Sequence, residues 1–110
     1  MADPKELSLR PYTGRLFYVK NRKAYLREHK KLFNKPDTII GGTAARFTGG
    51  EGPDGLWTYL IYAETPHHLA HEVAHCVLHV FERCGIDPIC GNGEPFCYLL
   101  SQILLDISLP

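Results

Sequence analysis

Five of the six histidines of this chain fall between positions 67 and 79, and among them runs His71-Glu72-Val73-Ala74-His75. Residues four apart on a helix share a face, so two imidazoles at this spacing converge on one metal ion. The glutamate between them points about a quarter turn away. From there it reaches a water beside the ion without binding the ion itself, and so suits a general base. Zinc is the metal that this pattern expects. In ordinary sequence it arises by chance roughly once in several hundred chains of this length, and the local excess of histidine raises that rate.

A wheel through the segment separates two faces. Leu69, Val73, Cys76, Val77, Val80 and Cys84 gather on one side and must be core. His68, His71, His75, His79 and Glu82 gather on another. That second stripe carries no lysine, whereas a solvated helix face ordinarily carries Lys, Glu and Arg in quantity.

A catalytic zinc site takes three protein ligands and leaves the fourth position to water. Candidates for the third are His79, Glu82, Glu94 and a cysteine. The extended H-E-x-x-H-x-x-G-x-x-H pattern is absent, since Leu78 and Phe81 stand where its glycine and third histidine would be. His79 lies one turn too far along the axis. Glu94 is preferred: it begins the last helix, after a glycine-containing loop that can fold back. The competing reading is an acid that favours the helix dipole. Tyr98, one turn on, is read as a donor to a developing oxyanion or as a tyrosine half-buried between helices. His68 is a second electrophile or a surface residue.

The elements that must hold these residues follow from local signals. Thr65-Pro66 opens the histidine helix as N-cap and first helical residue, and Gly85 closes it after Cys84. Leu56–Ala63, rich in aromatic and branched residues, predicts the best strand. The turn-forming Gly49–Gly55 stretch joins it in a hairpin to a strand over Ala44–Thr48. Arg15–Lys20 suits a short strand, and Asn21 caps a helix over Arg22–Phe33 with Ala24, Leu26, Leu32 and Phe33 as its apolar members. Thr38–Ile40 reads as extended. The last helix runs from near Glu94-Pro95 to near Ile107, with Phe96, Leu100, Ile103, Leu104 and Ile107 in one stripe. Residues 1–12, with Pro4 and Pro11, read as a loose arm, and 13–110 as one domain. The expected class is α+β, a small antiparallel sheet packed on the histidine helix and the helix that follows.

Composition bounds the function. The 110 residues are 45% hydrophobic and 22% charged, enough for one domain with a core of its own. Twelve basic and twelve acidic residues cancel, so no net field favours nucleic acid or anionic membrane. Seven basic residues between Lys20 and Lys35 read as a solvated helix face rather than a nucleic-acid patch. No apolar run reaches the ~18 residues of a membrane span, and the polar start lacks the form of a signal peptide, so a cytoplasmic protein is expected. Cys76, Cys84, Cys90 and Cys97 form no C-x-x-C pair and read as free thiols, with a Cys84–Cys90 bridge the alternative.

His71-Glu72-x-x-His75 followed by Glu94 resembles the gluzincin branch of zinc metallopeptidases. From His68 to Leu104, through Gly85-Ile86-Asp87-Pro88 and Glu94-Pro95-Phe96-Cys97-Tyr98-Leu99, the chain also resembles small phage- and prophage-encoded proteins described as metallopeptidase-like. The resemblance covers Trp57 to Leu104 and is weak before that. It implies a minimal zincin-like fold, and a zinc-dependent hydrolase of peptide bonds with His71, His75 and Glu94 as ligands and Glu72 as base. For a phage-encoded chain the compartment would be the host cytoplasm. It also implies a peptide or protein substrate paired along Leu56–Ala63. The alternative is a phage interaction protein that keeps a zinc-bearing zincin core and cleaves nothing, since the larger gluzincins have a second lobe that this chain has no residues to build.

Overall fold

The structure is a computed structural model, and it describes residues 4–37 and 44–108. Alternating apolar residues set the architecture. In the strand Trp57–Ala63, here β4, Tyr59 and Ile61 point to one face of the sheet while Thr58, Leu60 and Tyr62 point to the other, and all five are buried. A strand buried on both faces must lie in the interior of a sheet, covered above and below.

The sheet order is β1 (Lys5–Leu7), β2 (Arg15–Val19), β4, then β3 (Ala45–Glu51). β1 pairs antiparallel with β2, β2 runs parallel to β4, and β3 pairs antiparallel with β4. The sheet is therefore mixed rather than antiparallel, within the α+β class that the sequence predicts. The parallel pair arises because the helix Arg22–Phe33, α1, carries the chain back between β2 and the hairpin. The N-terminal arm, over its described residues 4–12, is not loose. It supplies β1, and Leu7 and Leu9 are buried. Thr38–Ile40 lies outside the described residues.

α1 covers one face, where Ala24 and Tyr25 meet Val19, Leu60 and Tyr62. Asn21 caps it by accepting from the Ala24 amide at 2.8 Å. Tyr25, fully buried, takes the core place expected of Leu26, which is 37% exposed. The other face is covered by α2 (Pro66–Cys84) and α3 (Glu94–Ser108), whose Val73, Cys76, Val77, Val80, Phe81, Leu99 and Ile103 pack on Leu16, Tyr59 and Ile61. Thr65 accepts from the His68 amide at the start of α2, and Gly85 ends it at φ +71°, a left-handed position that glycine adopts without strain. α3 runs antiparallel to α2: Phe96 meets Phe81 at one end, and Leu104 and Ile107 flank Pro66 and Leu69 at the other. All four cysteines are free thiols, Cys84 and Cys90 included. Among the described residues, no helix is long and apolar enough to cross a membrane.

Candidate metal centre

α2 positions the pair that the sequence singles out. His71 and His75 are exposed, one turn apart, with ring centroids 4.6 Å apart and planes at 80°. Their Nε2 atoms face each other at 3.1 Å. Two imidazole nitrogens that share a tetrahedral zinc at about 2.0–2.1 Å stand about 3.3–3.4 Å apart. The observed pair is within about 0.3 Å of that separation, so the two side chains fit a chelate with little movement. Glu72 lies on the same turn of α2 and is half-buried.

The wall of this site is β3. Phe47 stacks on His75 with centroids 6.4 Å apart and planes at 19°, and on Tyr59 at 5.8 Å and 18°. The same ring meets His79 at 6.0 Å. His79 is not part of an open stripe. It is stacked on Trp57 at 6.2 Å and 11° and touches Tyr59 edge-on at 5.7 Å, and its Nδ1 is buried without a hydrogen-bond partner. The Arg83 guanidinium lies over the Trp57 ring, 3.8 Å from its centroid. Burial pushes the Tyr59 phenol up to about 12, so it stays protonated beside His79. Burial likewise pushes the Cys76 thiol up; it is a neutral core side chain and no ligand.

Three other sequence assignments do not converge here. Glu94 is exposed at the start of α3, two residues before Phe96, which lies against Phe81. At 1.5 Å per residue, His75 and Phe81 are about 9 Å apart along α2. Glu94 therefore sits near the C-terminal end of α2, away from the pair. Among the described residues, no three His, Cys, Asp or Glu side chains gather to hold an ion. Tyr98 is 69% exposed and lines a groove with Arg10, Pro11 and Tyr12 on the far side of α3. It is neither at the histidines nor half-buried between helices. His68 turns to the cap, with its Nδ1 2.6 Å from Thr65 Oγ1.

The strand expected to receive a peptide, Leu56–Ala63, has neighbours on both sides and offers no edge. Among the described residues, the open edge beside α2 belongs to β3. Hydrogen bonds from the Gly52 amide to the Leu56 carbonyl and from the Glu64 amide to the Ala44 carbonyl set the phase of the ladder. The even-numbered positions of β3 therefore bond to β4. Ala45, Phe47, Gly49 and Glu51 direct their amides and carbonyls outward. Their side chains lie on the α2 face. Sequence reasoning missed this strand as a site element because Gly49 and Gly50 read as turn. Glycine at 49 eases the packing for another reason: a Cβ there would press on the Tyr59 ring at 3.1 Å, so that the ring would have to give by a few tenths of an ångström.

Comparison with known protein families, with characterised proteins and with solved structures finds no match.

Proposed function

We propose that this chain is a zinc-dependent hydrolase of peptide bonds, with His71 and His75 as zinc ligands and Glu72 as general base. The observation that carries the reading is the 3.1 Å approach of the two Nε2 atoms on the same turn that presents Glu72. A zinc ion held there would polarise a carbonyl and make a nearby water acidic. The chain's own residues do the rest. Phe47 fixes the His75 ring, Glu72 accepts the proton of the attacking water and returns it to the leaving amine, and α2 holds Glu72 next to His71 and within one turn of His75. The outward amides and carbonyls of Phe47 and Gly49 suit an extended peptide added as a fifth strand, which would run past His75.

A second reading keeps the zinc and drops the chemistry. It is favoured by one observation: among the described residues no third donor joins the pair, and catalytic zinc sites ordinarily have three. In that case the metal centre serves an interaction with a partner.

Glu72→Gln separates the two. The amide keeps the shape of the side chain but takes no proton. Zinc content and melting temperature should be unchanged, while turnover of a mixed peptide library falls by ~10²–10⁴. Equal turnover of wild type and Glu72→Gln would remove the enzyme reading and leave the metal as structure.

A further inference from the structure

The balanced net charge conceals a segregation. Seven of the twelve basic residues but one of the twelve acidic residues fall between positions 20 and 35, leaving five basic and eleven acidic in the remainder. The fold places five of those seven, Arg22, Lys23, Arg27, Lys30 and Lys31, on α1, on the opposite face of the sheet from α2 and the histidine pair, and Lys20 and Lys35 just beyond its two ends. At 100° per residue, Lys23, Arg27, Lys30 and Lys31 fall within an arc of about 100° on the helix. Lys20, Lys23, Lys30, Lys31 and Lys35 are exposed.

The one acid of the segment is absent from this face. Glu28 is buried, and its carboxylate accepts from Arg27 Nε at 2.9 Å with Lys31 Nζ 3.9 Å away. A solvated helix face ordinarily mixes signs, because Glu–Lys pairs one turn apart relieve repulsion. Here that pairing is limited to the buried Glu28, which meets Arg27 and Lys31, and every exposed charged residue of the segment is basic.

We infer that the outer face of α1 binds the phosphate backbone of duplex nucleic acid without reading its sequence. Three features select this partner. The row from Lys23 to Lys31 spans about 12 Å, close to the ~12 Å width of the major groove, so lysines at its two ends reach phosphates on either side. Leu26 is the one large apolar residue exposed on the helix, whereas a membrane-surface helix sinks an apolar face into the lipid and α1 spends its own on the sheet. A protein interface needs a desolvated apolar centre, which this face lacks, while phosphate binding runs on charge alone.

The test is fluorescence anisotropy of the full chain with a labelled 20-base-pair duplex, titrated from 50 to 200 mM salt. Four basic side chains, Lys23, Arg27, Lys30 and Lys31, on phosphates give a slope of about −3.6 in log affinity against log salt, a loss of about 150-fold over that range. The double variant Lys23→Glu/Lys30→Glu changes exposed residues only. Its melting temperature should match wild type, and its slope should fall to about −1.8 with at least tenfold weaker binding at 100 mM salt. Three results would overturn the inference: no binding at 50 mM salt, a salt slope that the double variant leaves unchanged, or tighter binding to phosphatidylserine vesicles than to the duplex.

Discussion

Replacing Phe47 by alanine tests whether β3 and α2 build the site together. The ring packs on Tyr59, His75 and His79 at centroid distances of 5.8, 6.4 and 6.0 Å. Truncating a phenylalanine in a core costs ~3–5 kcal/mol, and Phe47 is half-buried, which puts it at about 3. For 110 residues the unfolding entropy is about 0.23 kcal/mol/K, so the melting temperature should fall by about 13 °C. The folded remainder should bind zinc more weakly as well. His75 loses the wall that holds its ring, and ordering a freed side chain on binding costs about 0.5–1.5 kcal/mol, about two- to tenfold in Kd. Phe47→Leu keeps much of the bulk and should recover most of both losses. Thermal melts and zinc titration at 15 °C measure the two effects separately. A melting temperature within 3 °C of wild type would refute the packing. A normal melting loss with unchanged zinc affinity would refute the positioning.

Glu94→Ala should leave zinc affinity within about threefold, as its distance from the pair requires; a loss of tenfold or more would mean that α3 closes onto the histidines when zinc binds. Titration with a thiol reagent at pH 8 should find three fast cysteines, because Cys84, Cys90 and Cys97 are exposed and burial holds Cys76 neutral. A fourth fast thiol in the folded chain would contradict the packing of α2 on the sheet. Burial alone would raise the Asp37 carboxyl, but the Arg46 guanidinium and the Tyr25 hydroxyl outweigh it and hold it below its usual value. A carboxyl held low stabilises the fold above its unfolded pKa of about 3.9 and loses that contribution as the pH falls through the lower folded value. Asp37→Asn should therefore show a flatter fall of melting temperature below pH 4, and a slope equal to wild type would rule the contribution out.

What was legible in the sequence is what local chemistry dictates. Asn21, Thr65-Pro66 and Gly85 mark helix ends, and the observed caps are at those residues. The i, i+4 spacing of His71 and His75 is enough to bring them together, because one turn of helix does all the positioning. What depends on contacts distant in sequence was not legible. The parallel pairing of β2 with β4 is decided by where α1 lands, and β1 was hidden by Pro4 and Pro11. Gly49 reads as a turn residue, yet it is an edge-strand position where a Cβ would press closely on the Tyr59 ring. His79 shares a face with the other histidines on the wheel, but Trp57 and Phe47, from two strands, pack against its ring. The places of Glu94 and Tyr98 hang on the direction and depth at which α3 crosses α2. No spacing within α3 encodes that.

The central claim is that one turn of α2 holds a zinc ion, and metal stoichiometry tests it most directly. The chain, stripped with chelator and dialysed against limiting zinc under reducing conditions, should take up one zinc per molecule. His71→Ala and His75→Ala should each lose it while retaining the helical circular dichroism of wild type, since both side chains are exposed. His67→Ala and His29→Ala should keep it. Full occupancy in the His75→Ala protein, with the ion held instead by the exposed cysteines, would contradict the account.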